Sequence, residues 1–148
     1  MPAAELEFPI NGTKDTHCYV CGPDNPGGLN VPYYPDGSMA AVAIYIARPE
    51  HRGWTGILHG GVLFSLMDEA FGWSLFFENI PVVTAKIETR FHKPVAIGTP
   101  LHIRAWVTGQ RRSLYDARAE VRIDHPQGEL VAEAEAVLCP IANSKTGE

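Results

Sequence analysis

The most regular feature of the chain is a run of alternating apolar and polar positions that begins at Met39. Met39, Ala41, Ala43 and Tyr45 alternate with Ala40, Val42, Ile44 and Ile46 after the turn signal Pro35-Asp36-Gly37. This predicts a strand, hairpinned to a short one over residues 29–34. Four later segments alternate in the same way. Residues 82–92 set Val83, Ala85, Ile87 and Phe91 against Lys86, Glu88, Arg90 and His92, and residues 101–108 set Leu101, Ile103, Ala105 and Val107 against His102, Arg104 and Trp106. Residues 114–124 set Tyr115, Ala117, Ala119, Val121 and Ile123 against Asp116, Arg118, Glu120 and Arg122. Residues 129–139 set Leu130, Ala132, Ala134, Ala136 and Leu138 against Glu133 and Glu135. One dry face and one mostly wet face on each segment is antiparallel-sheet patterning. The inward alanines leave room for something bulky, such as a helix, against the sheet.

Only residues 60–78 can supply that helix. Asp68, Glu69 and Glu78 are its only charged residues, so it is apolar almost all round and should be largely buried. At about 1.5 Å per residue it would be close to 28 Å long. Leu63, Leu66, Met67, Ala70, Phe71 and Phe77 fall on its core face. Gly61, Ser65, Asp68 and Gly72 form a narrow stripe of small or polar residues that allows a partner or ligand to approach. The expected class is α+β, with five or six antiparallel strands around one long central helix. Residues 1–30, rich in Gly, Pro and Asn, are expected to form an irregular N-terminal arm, 31–141 the domain, and 142–148 a disordered C-terminal tail.

A chain of 148 residues suits one domain with its own core. Twelve Lys and Arg against 17 Asp and Glu give a net charge of -5, so no overall basic field exists to hold nucleic acid or an anionic membrane. The first ten residues lack a basic start and an apolar stretch, and no apolar run reaches membrane-span length. Three cysteines do not make a disulfide framework. A reducing cytoplasm is the expected compartment, with neither membrane nor nucleic acid as partner.

The candidate chemistry lies in the stretch from His59 to Asp68. A helix starting at Gly60-Gly61 presents backbone N–H groups without intrahelical partners, at the positive end of the macrodipole. That suits a developing oxyanion, and glycine lets a substrate carbonyl come close. Asp68, inside the apolar helix, offers a general base or nucleophile. Donor plus carboxylate suits acyl transfer. Residues 60 and 68 of one helix are about 12 Å apart, whereas both must lie roughly 3 Å from one reacting centre. Two antiparallel copies related by a two-fold axis solve this, so the reading requires a homodimer. Bland roles remain open: Asp68 as a satisfied interface carboxylate, the glycines as a simple helix start, and His59 as a cap rather than a proton carrier. Glu69, turned about 100° from Asp68, is the second choice for the base.

His59-Gly60-Gly61, with Asp68 nine residues after the histidine and then Ala70, resembles the hotdog-fold acyl-CoA thioesterases of the phenylacetic-acid-pathway (PaaI-like) type. The resemblance covers about residues 39–140 and includes the order of elements. It implies a hotdog fold and hydrolysis of a fatty or aromatic acyl-CoA to free acid and CoA. Asp68 would be base or nucleophile, the Gly60 amide would polarise the thioester carbonyl, and His59 would shape the turn. It also implies a homodimer, or a homotetramer built as a dimer of dimers. Many close members place an Asn shortly ahead of the His-Gly-Gly turn, where this chain reads Gly53-Trp54-Thr55-Gly56-Ile57-Leu58. The stretch Cys18-Tyr19-Val20-Cys21-Gly22, followed by Asn25-Pro26-Gly27-Gly28-Leu29, resembles an extension in a bacterial subgroup of these proteins.

Further candidates surround this centre. Gly61 and Ser65 lie on the stripe a substrate would meet. Arg90 with Lys93, and Arg111 with Arg112 in the turn after Gly109, are the cations suited to the phosphates of a CoA tail. Trp54, Trp73, Phe76 and Phe77 are candidates for an acyl pocket, though aromatic residues near a core helix are more often core. His17, Cys18 and Cys21, with Cys139 as a fourth ligand, could recruit zinc, but one C-x-x-C is a weak zinc signal. The expectation is no metal and no cofactor beyond the coenzyme A of the substrate. Two other functions compete with the thioesterase: a non-catalytic acyl-CoA-binding hotdog module and a hotdog enoyl-CoA hydratase. The hydratase ranks last, because the first histidine after Asp68 is the distant His92.

Overall fold

A computed structural model describes residues 15–141. Six strands form one antiparallel sheet: β1 (Tyr34–Pro35), β2 (Ala40–Ile46), β3 (Val82–Phe91), β4 (Pro100–Arg111), β5 (Leu114–Ile123) and β6 (Leu130–Pro140). Their spatial order is β1-β2-β4-β5-β6-β3, and every neighbouring pair is antiparallel. The helix α1 (Gly60–Phe76) lies on one face and packs against β2, β3, β4, β5 and β6. The predicted architecture is therefore present, with six strands. The arm ahead of β1 is described from Asp15, while the predicted C-terminal tail lies outside the described residues.

The inward alternation follows the sequence pattern in the middle of the sheet. Ala43, Tyr45, Leu101, Ile103, Ala105, Ala117, Ala119, Val121, Ala134 and Leu138 are buried in one cluster with Leu63, Leu66, Met67, Ala70 and Phe71 of α1. The small strand side chains let the bulky helix residues fill the space, and each fully buried Leu or Phe contributes about 1.5–3 kcal/mol. Tyr33 is pinned inside by donating its hydroxyl to the Leu66 carbonyl at 2.7 Å. Asn79 ends the helix: its left-handed φ of 64° turns the chain, and the amides of Asn79 and Ile80 bond the Phe76 and Leu75 carbonyls.

Several details differ from the sequence pattern. The strand expected over residues 29–34 is reduced to Tyr34–Pro35, because Leu29 and Val31 give their amides to the Tyr19 and Val20 carbonyls of the arm. Residues 15–30 of the arm hold no helix or strand but pack on the domain: Val20 and Leu29 are buried, and Cys18 and Cys21 pack partly against the core. In β3 the alternation breaks at a bulge between Thr84 and Lys86, and the strand lies at the sheet edge. Val83 and Phe91, expected inside, are 46% and 53% exposed. His102, expected on the wet face, is buried, since its central strand sets it between Ile44 of β2 and Arg122 of β5. Strand β4 runs past a bulge at Gly109 to Arg111, leaving Arg112 and Ser113 as the turn.

Candidate active site

The turn into α1 is held from several sides. His59 donates its amide to the His51 carbonyl at 3.0 Å, and Leu58 donates to the Val95 carbonyl at 2.8 Å. Gly53 is small for a reason: a Cβ there would come within 3.3 Å of the His59 backbone and ring. His59 is the helix N-cap, in extended conformation. Its Nδ1 accepts the Gly61 N–H at 2.8 Å, and its carbonyl accepts the Val62 N–H at 3.0 Å. Nδ1 is therefore unprotonated and any ring proton is on Nε2. The first helical donors are thus shared out, and the Gly60 N–H is left without a partner among the described residues. The Phe91 ring stands over Gly60, 3.7 Å from where a Cβ would be.

Asp68 lies two turns further along α1 and is half-buried. Its Oδ1 accepts the Thr84 hydroxyl at 2.6 Å. Strand β3 therefore runs antiparallel to α1, with Phe91 at the Gly60 end and Thr84 at the Asp68 end. The two candidate groups remain about 12 Å apart along one helix. Neither Thr84 nor Phe91 emerges from the sequence pattern: Thr84 sits at the bulge, where periodicity fails, and Phe91 reads as a core residue.

The other candidates divide. The Gly61 amide, one of the expected substrate donors, is taken by His59, and a Cβ on Gly61 would lie 3.0 Å from that ring nitrogen. Ser65 turns its hydroxyl back to the Gly61 carbonyl at 2.9 Å. Glu69 points elsewhere than Asp68, accepting the Trp73 indole N–H at 3.0 Å and the Cys18 thiol at 3.4 Å. The neighbouring Cys21 thiol holds the Cys18 thiol down to about 6, with burial opposing and the Cys21 amide assisting. Trp73 packs with Phe76 and Phe77 at centroid distances of 5.5 and 4.9 Å, whereas Trp54 is 82% exposed in the loop before α1.

The four cations lie at opposite ends of the sheet. Lys93, past the end of β3, bonds both Glu129 oxygens at 3.0 Å, and Arg111 grips Asp116 bidentately at 2.7 and 2.8 Å. Arg90 and Arg112 are exposed. A separate groove lined by Lys86, Glu88, Asp116, Arg118 and Glu135 lies away from the helix start and contains none of the candidate catalytic groups. Within it Arg118 bonds Glu135 at 2.6 Å, while Glu133 beside it takes a second Arg118 bond at 2.8 Å and Asp116 is held by Arg111.

The family model described as Thioesterase superfamily matches residues 55–130, which contain the helix start, Asp68 and Thr84. The chain belongs to the thioesterase superfamily. A mutant of the phenylacetic acid degradation protein PaaI from Thermus thermophilus is similar at 25% identity and a TM-score of 0.68, over 76% of this chain and 95% of that one. The Escherichia coli PaaI protein from the phenylacetic acid degradation operon is similar at 23% identity and a TM-score of 0.71, over 78% and 82%. A Streptococcus mutans protein bound to acetyl CoA shares the fold at 18% identity and a TM-score of 0.70, over 77% and 90%. A comparison with curated proteins finds no match. The six-stranded sheet on one helix is thus the PaaI-like hotdog fold of this superfamily.

Proposed function

We propose that this superfamily member hydrolyses an acyl-CoA thioester to the free acid and CoA, in a site that two chains build together. The observation that carries the reading is the open Gly60 amide at one end of an exposed edge strand and the Asp68 carboxylate at the other. Pairing β3 with β3 of a second copy about a two-fold axis sets the helix start of one chain beside the middle of the other. The apolar Val83 and Phe91 on that edge would be covered at the same time.

In this arrangement the Gly60 N–H of one chain, with the helix dipole behind it, stabilises the oxyanion as the thioester carbonyl is attacked. Asp68 of the other chain deprotonates the attacking water, or attacks the carbonyl carbon itself and is released by water. Either way the C–S bond breaks, CoA leaves as the thiol, and the acid is released. His59 acts as a cap that holds the turn. Of the four candidate cations, Lys93 and Arg111 already face carboxylates, so Arg90 and Arg112, without an ion pair among the described residues, are the two offered to a CoA phosphate. The acyl-CoA class is favoured by the PaaI and acetyl-CoA-bound neighbours.

The test is thiol release from short, long and aromatic acyl-CoA esters by the wild-type chain and by Asp68→Asn. Hydrolysis of at least one ester, lost in the folded variant, is expected. Equal hydrolysis by both proteins would refute the role of Asp68. Tight binding without thiol release by the wild type would favour a binding module.

A further inference from the structure

The geometry points to a binding site for one divalent cation of the zinc class, formed by Cys18 and Cys21 of the N-terminal arm and Glu69 of α1. One ligand atom from each of these three side chains lies within 4.8 Å of the other two. The Cys18 sulfur and the Glu69 Oε2 are 3.4 Å apart. Tetrahedral zinc with bonds of about 2.3 Å to sulfur and 2.0–2.2 Å to oxygen spaces two such ligands about 3.5 Å apart. The donors therefore stand close to the spacing of one tetrahedral edge before any ion enters. Two sulfurs and one carboxylate suit a borderline-soft cation rather than calcium or magnesium.

The surroundings are built to hold this cluster. The Cys21 amide points at the Cys18 sulfur at 3.5 Å, and the Gly22 amide bonds the Cys18 carbonyl at 2.9 Å, so the arm wraps round the first thiol. Only glycine fits at position 22, since a Cβ there would come within 2.3 Å of the Cys18 nitrogen. The Trp73 indole holds the Glu69 carboxylate from outside at 3.0 Å, as an outer partner orients a metal ligand. His17 and Cys139, the other ligands that the sequence offers, are not part of the cluster. His17 is exposed beside Asp15, and Cys139 sits on β6 and turns to the Pro140 carbonyl. Glu69 cannot be picked out from the C-x-x-C motif, because 51 residues separate it from Cys18.

Three protein ligands leave a fourth position for water or another donor, and the ion would tether the arm to the helix turn that carries Asp68. The site stands apart from the catalytic reading, because its test reads metal and not turnover. The reduced full-length chain is titrated with Co²⁺ and then with Zn²⁺, followed by visible and near-ultraviolet absorption. A thiolate-to-cobalt charge-transfer band with tetrahedral d–d bands, saturating at one ion per chain and displaced by Zn²⁺, is expected. Cys18→Ser removes one of the two thiolates and should cut the charge-transfer intensity by about half or more, Cys139→Ser should leave it intact, and Trp73→Phe should weaken binding about tenfold. Glu69→Gln keeps both thiols and should change the d–d envelope, which guards against a Cys18→Ser chain that fails to fold. The proposal is overturned by an absent charge-transfer band in the reduced chain, by a band of undiminished intensity in Cys18→Ser, or by an unchanged spectrum in Glu69→Gln. A Cys18–Cys21 disulfide that re-forms in preference to metal binding overturns it as well.

Discussion

His59 accepts the Gly61 amide on its ring nitrogen at 2.8 Å, and this one bond decides which helix-terminal donor stays open. Were the cap absent, Gly60 and Gly61 would present two equivalent N–H groups to water. With it, the turn is fixed and, of the two, the Gly60 amide is the one left without a partner among the described residues, beneath the Phe91 ring. Replacing His59 by Ala should cost about 1 kcal/mol of stability, read as a lower thermal midpoint. His59→Asn, which can cap from a shorter side chain, should recover most of it. Equal midpoints for all three chains would show that the cap carries no weight.

Thr84 donates to Asp68 at 2.6 Å from the edge strand. A hydrogen bond to a charged group contributes about 1.5–3 kcal/mol. Removing it with the near-isosteric Thr84→Val should lower kcat for thioester hydrolysis by about tenfold to a hundredfold. Thr84→Ser should restore most of the loss. A Val variant with wild-type kcat would mean that Asp68 does not depend on this contact.

His51 and His102 should make stability depend on pH. Burial, then Arg48, holds the His51 imidazole below its ordinary value, and burial does the same for His102. Between the ordinary value of about 6.5 and the lower folded value, the unfolded chain binds more protons than the folded one. The stability these groups contribute is present above about pH 6.5 and is lost as the pH falls towards the folded value. The thermal midpoint should drop through this window, and the drop should be shallower in His102→Gln. An identical slope in the variant would remove His102 from this account.

The sheet and helix were legible because each follows a simple period: alternation in β2, β4, β5 and β6, and a nearly uncharged stretch for α1. What failed to follow was set by contacts distant in sequence. Val83 and Phe91 read as core residues because alternation carries no information about a bulge or about which strand is the edge. Leu29 and Val31 read as a strand, yet their amides are taken by the arm. At the site, the His-Gly-Gly turn and Asp68 were visible, whereas Thr84 and the Glu69–Cys18 contact needed the fold to bring them together.

The central claim is that each site takes Gly60 from one chain and Asp68 from the other, and subunit mixing tests it most directly. Gly60→Pro deletes the Gly60 amide at a position where proline suits a helix, and His59 before it is already extended. As homodimers, Gly60→Pro and Asp68→Asn should each lose about a hundredfold or more in kcat. When the two chains are unfolded together and refolded in equal amounts, half of the dimers are mixed and each mixed dimer has one intact site. Activity should return to about a quarter of the wild-type value. Mixed chains no more active than the separate variants, with heterodimers shown to be present, would contradict the shared site.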